Sequence, residues 1–317
     1  MYRAVDGTKV VDQDCLRRIR SLAVPPAWTD VWICPWPNGH IQAMGTDAAG
    51  RRQYRYHDDW RKRKDQEKFE RAIEFGRALP TLLRRVENDL ASSGLRKQRM
   101  LAVGVRLLHI GGFRIGGEEY AEEHETFGVA TLQVRHVRID GDRVVFTYRA
   151  KGSVKRNVAI DDPEILRVMR SLLRRSRRKS DDLLAWRQGG GWRNLRSADL
   201  NAYIKETIGE PFSAKDFRTW SATVRAASEL ATRADAAASE RQRKRTVKAA
   251  VAEVAEHLGN TPAVCRSSYI DPRVIDCFHG GDTIGPALAT SKSPAHSAEG
   301  KVEKAVIAML TRSAEAA

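Results

Sequence analysis

The stretch Leu258-Gly259-Asn260-Thr261-Pro262-Ala263-Val264-Cys265-Arg266-Ser267-Ser268-Tyr269 predicts two helices joined by a tight turn. Gly259 suits the left-handed residue that ends a helix, so a long helical pattern is expected to end there. Asn260 or Thr261 suits the cap of the next helix, and a proline is tolerated in its first turn. Tyr269 then lies about two turns further on, at a defined distance from Asn260. This phenol is either a nucleophile toward a phosphate or, like most tyrosines, a half-buried packing residue.

The composition points to a polyanionic partner. The 317 residues include 55 Lys and Arg against 40 Asp and Glu, a net charge of +15, and that length is enough for two domains. Charge alone leaves membrane surfaces and acidic proteins open as alternatives. The start of the chain has no apolar segment typical of a signal peptide, and no apolar run approaches a membrane span, which predicts a soluble, cytoplasmic, nucleoid-associated protein. The cysteines have no metal-type spacing and are expected to be reduced thiols; they are Cys15, Cys34, Cys265 and Cys277.

The N-terminal part of the chain alternates short apolar runs with turn signals. Residues 30–34 and 40–44 are expected to form a hairpin, because an Asn-Gly pair lies between them. A third strand at 51–56 would place alternate basic and aromatic side chains on one face. These are Arg52, Tyr54 and Tyr56. The face suits contacts with a phosphate backbone and with bases, although an ordinary amphipathic edge strand has the same pattern.

Composition also suggests three segments along the chain. Residues 58–74 are strongly charged and free of helix breakers, which indicates a solvated helix or helical linker. We therefore expect a β-rich N-terminal domain at 1–68 and a mainly helical domain at 69–282. Small and polar residues predominate after about Gly280, which predicts a linker and tail at 283–317. An amphipathic piece at 302–310 either packs back or extends freely.

The larger domain is expected to contain one sheet among its helices. Alternating strands at 131–138 and 143–150 surround an Asp-Gly-Asp turn, and a third strand follows at 154–160. Ser197 is a candidate helix cap, and a basic stretch at 174–179 is either DNA-facing or solvated. Helices are predicted at 81–90, 97–110, 163–178, 197–208, 212–230 and 246–257.

Two cationic residues occupy positions that invite a ligand. The loop Gly111-Gly112-Phe113-Arg114-Ile115-Gly116-Gly117 lacks the Gly-Lys-Ser/Thr ending of a nucleotide-binding loop. Arg114 lies between its two glycine pairs, where an arginine usually has a specific anionic partner; the alternative is an ion pair with Glu118 or Glu119. Lys151 lies at a predicted hairpin tip, where it either reaches into a cleft or is simply exposed.

Taken together, these residues resemble a known family, the small viral and bacterial branch of type IB DNA topoisomerases. The matching residues, in order, are Arg114, Lys151, Lys215, Arg218, Asn260 and Tyr269. The resemblance extends through 22–32, 37–43 and 50–57 and covers nearly all of the chain up to about Gly280. It begins abruptly at residue 1, so we expect the natural N-terminus to lie further upstream. The resemblance implies an α+β fold of the tyrosine recombinase/topoisomerase IB type, in which a small β-rich domain and a mainly helical catalytic domain with a three-stranded antiparallel sheet clamp duplex DNA as a monomer.

The resemblance also implies a role for each residue. Tyr269 would attack a backbone phosphodiester and leave a 3′-phosphotyrosyl link with a free 5′-hydroxyl. Arg114 and Arg218 would hold the non-bridging oxygens, and Lys151 would protonate the departing 5′-oxygen. The enzyme would relax positive and negative supercoils. The residues that match DNA-contacting positions are Arg51, Arg52, Tyr54, Tyr56, Tyr120 and Lys215.

The proposed chemistry requires these residue types. A phenol has a pKa near 10, so neighbouring guanidinium groups must favour the phenolate. The departing alkoxide is more basic and needs a general acid, and the phosphate oxygens need preorganised donors. The phosphotyrosyl bond conserves the energy of the broken one, so no nucleotide, metal or other cofactor is expected. Asn260 stands where many family members carry a histidine, and its amide donates a hydrogen bond but does not titrate.

Two alternatives remain at this point. A tyrosine recombinase shares the Arg, Lys, Arg and Tyr pattern, but it usually has His-x-x-Arg where this chain has Lys215-x-x-Arg218, and its N-terminal domain is typically helical. A non-catalytic basic protein would bind DNA by charge alone. In that case Tyr269 could be replaced without consequence.

Overall fold

A computed structural model describes residues 2–4, 6–175, 181–234, 239–289 and 295–315, the last range with side chains from residue 300 onward. Within it the chain divides into two compact units, Met1–Lys68 and Phe69–Ala317. Most of the basic stretch predicted at 174–179 lies outside the described residues. Among the helices described, none combines the length and the apolar character that a membrane crossing requires.

The first unit consists of one short helix, a small sheet and the start of a long helix. The carboxylate of Asp12 caps α1 by accepting a hydrogen bond from the Cys15 amide, at 2.6 Å. The three strands pair antiparallel in the order β1-β2-β3, which confirms the predicted hairpin and third strand. Gln42 is buried, and its amide donates to the Gly39 carbonyl inside the hairpin loop, at 2.8 Å. The elements are α1 (Gln13–Ser21), β1 (Thr29–Ile33), β2 (Ile41–Thr46) and β3 (Arg52–Tyr56).

A single helix, α2 (Asp58–Ala91), replaces the two separate helical patterns expected at 58–74 and 81–90. Pro80 lies inside it, where a proline removes one helical hydrogen bond. Apolar residues at helical spacing are buried on both sides of this proline, Leu79 and Leu82 completely. Core packing therefore keeps the helix continuous in spite of the hydrogen bond that is lost at Pro80.

The second unit is mainly helical and contains a three-stranded antiparallel sheet, so the predicted α+β fold class is confirmed. The sheet has the strand order β4-β5-β6, and a separate hairpin pairs β7 with β8. Helix α3 is almost wholly buried and packs against α6, α7 and β6. The elements are α3 (Lys97–Gly111), α4 (Glu118–His124), β4 (Val137–Asp140), β5 (Arg143–Ala150), β6 (Val154–Ile160), α5 (Pro163–Arg175), β7 (Ala185–Gln188), β8 (Gly191–Asn194), α6 (Ser197–Ile208), α7 (Ala214–Thr232), α8 (Glu240–Leu258), α9 (Pro262–Ser268), α10 (Pro272–His279), α11 (Gly285–Ala289) and α12 (Ala295–Glu315).

Two predictions within this unit were wrong in detail. The first strand of the sheet begins at Val137 and not at residue 131, because two 3₁₀ turns precede it. The Thr131 hydroxyl accepts from the Gly128 amide at 3.0 Å, a side-chain bond that favours a turn over a strand. Ser197 does not cap α6. Its amide and hydroxyl both donate to the Glu118 carboxylate, at 2.9 and 3.1 Å, and Arg196 occupies the cap position.

The C-terminal residues, predicted as linker and tail, form α11 and α12. Val306, Met309 and Leu310 of α12 belong to the main hydrophobic core. The indole nitrogen of Trp220 on α7 donates to the Glu303 carboxylate at 3.2 Å. The amphipathic piece expected at 302–310 therefore packs onto the helical unit.

Gly76 on α2 is a tight contact with α7, and enlarging it is expected to destabilise the protein. A methyl group at this position would lie 2.5 Å from Cζ2 of Trp220, which is 2% exposed. We expect Gly76→Ala to lower the free energy of unfolding by about 1–3 kcal/mol, because overpacking outweighs the better helix propensity of alanine. Urea denaturation measures this change.

Gly300 provides the matched control, since it also lies in a helix and nothing lies within 4 Å of an added methyl group. Gly300→Ala is expected to raise the free energy of unfolding by roughly 0.5–1 kcal/mol. If Gly76→Ala were as stable as Gly300→Ala, the packing of Gly76 against Trp220 would be refuted.

Candidate active site

The turn at Gly259 has the conformation that the sequence predicts. Gly259 is left-handed, with φ of +61°, and ends α8, while its amide donates to the Glu256 carbonyl at 3.1 Å. Thr261 and not Asn260 caps α9, because its hydroxyl accepts from the Val264 amide at 3.3 Å. The Asn260 side chain is therefore available for other contacts.

Tyr269 ends α9, and its backbone is held from two sides. Its amide donates to the Cys265 carbonyl at 3.0 Å. Its carbonyl accepts from the Thr223 hydroxyl at 3.3 Å, and the same hydroxyl accepts from the Asp271 amide at 3.2 Å. Thr223 is buried on α7, so α7 fixes the backbone on which the half-buried phenol is carried.

Arg218 also lies on α7, one and a half turns before Thr223, and is 5% exposed. Its guanidinium donates to the Gly112 carbonyl at 2.7 Å and to the Leu258 carbonyl at 3.0 Å. The guanidinium carbon lies 5.1 Å from the centroid of the Tyr269 ring. Arg218 thus joins the end of α3, the end of α8 and the tyrosine.

The start of α7 is anchored before these residues. Ser213 caps the helix, and its amide and hydroxyl donate to the Asp216 carboxylate at 2.9 and 3.0 Å. The other oxygen of Asp216 accepts from the Arg71 guanidinium at 2.9 Å. Lys215 lies in this first turn and is exposed.

Arg114 reaches the same cluster from the glycine-rich loop. Backbone bonds from Val129 to the Arg114 carbonyl and from Ala130 to the Ile115 carbonyl, at 2.9 and 2.7 Å, hold the loop in place. The Arg114 guanidinium donates to the Asn260 side-chain oxygen. The alternative ion pair with Glu118 is not formed, since the Glu118 carboxylate accepts from Ser197 instead.

The electrostatics of this cluster favour an anion. Burial alone would raise the pKa of Tyr269, but the Arg218 guanidinium, followed by Arg114 and the Asn260 amide, brings that pKa below its ordinary value. Burial and the nearby Arg114 charge lower the pKa of Arg218 to about 10. No ion pair neutralises either guanidinium within the residues that the structure describes. A phosphate group would supply the missing negative charge.

Lys151, the predicted general acid, is not in contact with this cluster. It lies in the turn between β5 and β6 and is exposed. Across the described ranges no hydrogen bond or ion pair joins its ammonium to Tyr269 or to Arg114. The contacts in the structure thus assemble four of the five predicted catalytic residues.

The predicted DNA-contacting residues are mostly exposed. In the first unit, Arg52, Tyr54 and Tyr56 lie on the exposed face of β3, while Arg51 pairs with Asp47 at 2.8 Å. The Tyr56 ring stacks on Trp60 with centroids 4.5 Å apart, and Tyr54 stacks on Tyr56 at 6.1 Å. In the second unit, Tyr120 on α4 is 50% exposed.

Sequence reasoning missed two residues next to the cluster, Arg156 and His257. Arg156 is 7% exposed and donates to the Glu256 and His257 carbonyls at 2.8 and 2.7 Å. Burial, together with nearby arginines, lowers the pKa of His257 to about 3. The alternation of β6 was a usable signal, because Arg156 shares the inward face with Val158 and Ile160.

Comparison with protein-family models gives two matches that together include most of the chain. Residues 57–275 match the family described as eukaryotic DNA topoisomerase I, catalytic core. Residues 1–47 match the family described as bacterial DNA topoisomerase IB, N-terminal domain. The first match alone covers more than half of the chain and includes Arg114, Arg218 and Tyr269.

Individual proteins with similar sequences come from viruses and a fungus. DNA topoisomerase 1B of Acanthamoeba polyphaga mimivirus is 29% identical over 274 residues, which is 85% of this chain and 82% of that protein. DNA topoisomerase I of Monkeypox virus is 21% identical over 272 residues, 84% of this chain and 82% of that protein. DNA topoisomerase 1 of Mycosarcoma maydis is 25% identical over 233 residues, 63% of this chain but 22% of that protein. The similarity to the viral proteins therefore extends over most of both sequences.

Proposed function

The chain belongs to the type IB DNA topoisomerase family of enzymes, and we propose that it relaxes supercoiled duplex DNA by cleaving and rejoining one strand through Tyr269. The observation that carries the proposal is the position of the Tyr269 phenol in one cluster with the Arg114 and Arg218 guanidinium groups, neither of which has a carboxylate partner among the described residues. A net charge of +15 supports a polyanionic substrate. The family match favours this function over the recombinase alternative.

In the cleavage step, the Tyr269 oxygen attacks a backbone phosphorus and the bond from phosphorus to the 5′-oxygen breaks. The phenol proton is lost, the 3′-phosphate becomes esterified to tyrosine, and the 5′-oxygen takes up a proton and leaves as a hydroxyl. Arg114 and Arg218 stabilise the charge on the non-bridging oxygens, which agrees with the contacts that both residues make near the tyrosine. Attack by the 5′-hydroxyl on the phosphotyrosine reverses the step.

Lys151 is proposed to give the proton to the leaving 5′-oxygen. Its place at an exposed hairpin tip leaves the ammonium accessible to a DNA strand. A group that acts only with DNA bound need not touch the cluster beforehand. This role, the clamping of the duplex by a monomer and a location on the nucleoid stay predictions.

Relaxation of plasmid DNA tests the proposed function. The protein is incubated with negatively and, separately, with positively supercoiled plasmid in EDTA without nucleotide. We expect relaxation of both, because the phosphotyrosyl bond conserves the energy needed for rejoining. A protein that binds the plasmid but never changes its linking number would instead be a non-catalytic DNA-binding protein.

Asn260 is expected to act without titrating. An amide donates a neutral hydrogen bond to a phosphate oxygen at every pH, and nearby His257 is already neutral above a pKa of about 3. The cleavage rate should therefore show no imidazole-like titration between about pH 6 and pH 8 that arises from Asn260 or His257. Single-turnover cleavage across that range measures the profile.

The control for this prediction is Asn260→Ala, which removes the amide. Its rate is expected to fall by roughly 10- to 100-fold at every pH, in parallel with the native profile. A step near neutrality that is present in the native protein and absent from Asn260→Ala would contradict the prediction.

A further inference from the structure

The buried guanidinium of Arg156 holds the end of the helix that leads into the active-site turn. It extends from the middle of β6 to the last turn of α8 and donates to the Glu256 carbonyl at 2.8 Å and to the His257 carbonyl at 2.7 Å. The last carbonyls of a helix lack helical partners and carry partial negative charge. One forked cation therefore binds two of these carbonyls at once, that of Glu256 in addition to its bond from the Gly259 amide.

The same side chain lies against the turn itself. A methyl group added to Gly259 would be 2.6 Å from Cδ and 2.7 Å from Nη1 of Arg156. The next carbonyl, that of Leu258, accepts a hydrogen bond from the Arg218 guanidinium. Three successive carbonyls before Gly259 thus accept hydrogen bonds from two buried arginines. These bonds fix the position of the backbone that leads into Asn260.

Arg156 is itself supported from the sheet. It interacts with the hydroxyl of Tyr148, a residue that is 4% exposed and whose pKa burial raises. The Tyr148 ring stacks on Phe113 with centroids 5.6 Å apart and planes 9° apart. Phe113 directly precedes Arg114 in the glycine-rich loop. A series of contacts therefore joins Arg156 on β6 through Tyr148 on β5 to the loop that carries Arg114.

We propose that Arg156 is a positioning residue for strand cleavage: by fixing the end of α8 and the Gly259 turn, it places Asn260 and Tyr269 relative to Arg114 and Arg218. The inference rests on the proposed function for its kinetic consequence. Its structural part, the placement of the groups around the phenol, stands on the contacts of Arg156 alone.

The test compares Arg156→Lys with the native protein, because lysine keeps the charge but lacks the two separate guanidinium nitrogens that reach the two carbonyls. Single-turnover cleavage of a duplex oligonucleotide at saturating enzyme gives the cleavage rate, and titration of uncleaved duplex gives the affinity. We expect the rate to fall about 10- to 100-fold, since small misplacements of reacting groups have effects of that order. DNA affinity should stay near the native value.

Arg99→Lys is the matched control, since Arg99 is similarly buried, at 5% exposed, and donates to the Gly94 carbonyl at 3.1 Å. It should cleave DNA at the native rate. If Arg156→Lys and Arg99→Lys lose stability alike and both cleave at the native rate, Arg156 has only a structural role and the proposal is overturned.

A readout that does not require catalysis separates this inference from the proposed function. NMR of ¹³C-labelled tyrosine follows the titration of the Tyr269 phenol, with Tyr269→Phe used to assign its signal. Displacing the neighbouring arginines and Asn260 should raise the Tyr269 pKa in Arg156→Lys but not in Arg99→Lys. An unchanged titration in Arg156→Lys would refute the positioning role. A raised Tyr269 pKa in Arg156→Lys, together with a native protein that never cleaves DNA, would uphold the positioning role and reject the proposed function.

Discussion

Replacing Tyr269 with phenylalanine is expected to abolish the covalent protein–DNA adduct and all relaxation while leaving DNA binding intact. The substitution removes only the oxygen that is proposed to attack phosphorus. We expect the cleavage rate to fall by more than about 10⁴-fold, since loss of a nucleophile costs other covalent enzymes on the order of 10⁶-fold. The backbone contacts of Tyr269 with Cys265 and Thr223 do not involve the hydroxyl, so the fold should persist.

The measurement uses a duplex oligonucleotide whose short downstream fragment, which carries the new 5′-hydroxyl, dissociates after cleavage, so that the 3′-linked adduct accumulates and is resolved on a denaturing gel. Tyr203→Phe is the control, because it removes a tyrosine hydroxyl elsewhere in the helical unit, that of the buried Tyr203, which donates to Asp89 at 2.6 Å. This control should form adduct at the native rate. Adduct formation by Tyr269→Phe at an undiminished rate would mean that a different residue is the nucleophile.

The second large effect is expected at Arg218. Arg218→Lys keeps a positive charge but puts all donors on one compact ammonium, in place of the two separate guanidinium nitrogens that reach the Gly112 and Leu258 carbonyls. Loss of a preorganised donor to the transition state typically lowers a rate by about 10²–10³-fold. The two buried carbonyls also lose their partner, so we expect the free energy of unfolding to fall by roughly 1–3 kcal/mol.

These two consequences are measured separately. Single-turnover cleavage is followed at a temperature where denaturant titration shows the variant to be folded. Arg85→Lys is the control, since the Arg85 guanidinium also lies over a tyrosine ring, that of Tyr203, at 4.5 Å from the centroid. It should cleave normally. Native cleavage by folded Arg218→Lys would exclude Arg218 from phosphate stabilisation.

Local signals in the sequence were enough to predict the turn that leads into α9, the helix that ends at Tyr269. Glycine at a left-handed position, a threonine cap and a proline after it are enough to predict the turn from Leu258 to the start of α9 from neighbouring residues. Alternation and turn residues likewise predicted β5, β6 and the three N-terminal strands. The order of residues along the chain then indicated the family, from Arg114 and Lys151 through Lys215, Arg218 and Asn260 to Tyr269.

Features that depend on distant contacts were not predictable in the same way. The continuity of α2 through Pro80 depends on core packing, and the partner of Glu118 is a serine 79 residues away. The hairpin of β7 and β8 is different, because it was missed although the Gly189-Gly190 pair in its turn is a local sequence signal. Both glycines have positive φ in the structure. Nothing local indicates that Arg156 reaches the end of α8, because that contact joins residues about 100 positions apart.

Helix α7 carries Arg218 and, through Thr223, also holds the backbone of Tyr269. The proposed nucleophile and one of its proposed phosphate-binding groups therefore belong to one cooperative unit and form or are lost together when the protein folds or opens locally. A partly opened molecule in which α7 has come loose then retains neither function. Under the proposed mechanism such a molecule cannot cleave a strand through Tyr269. Local opening of the free protein therefore does not in itself produce broken DNA strands.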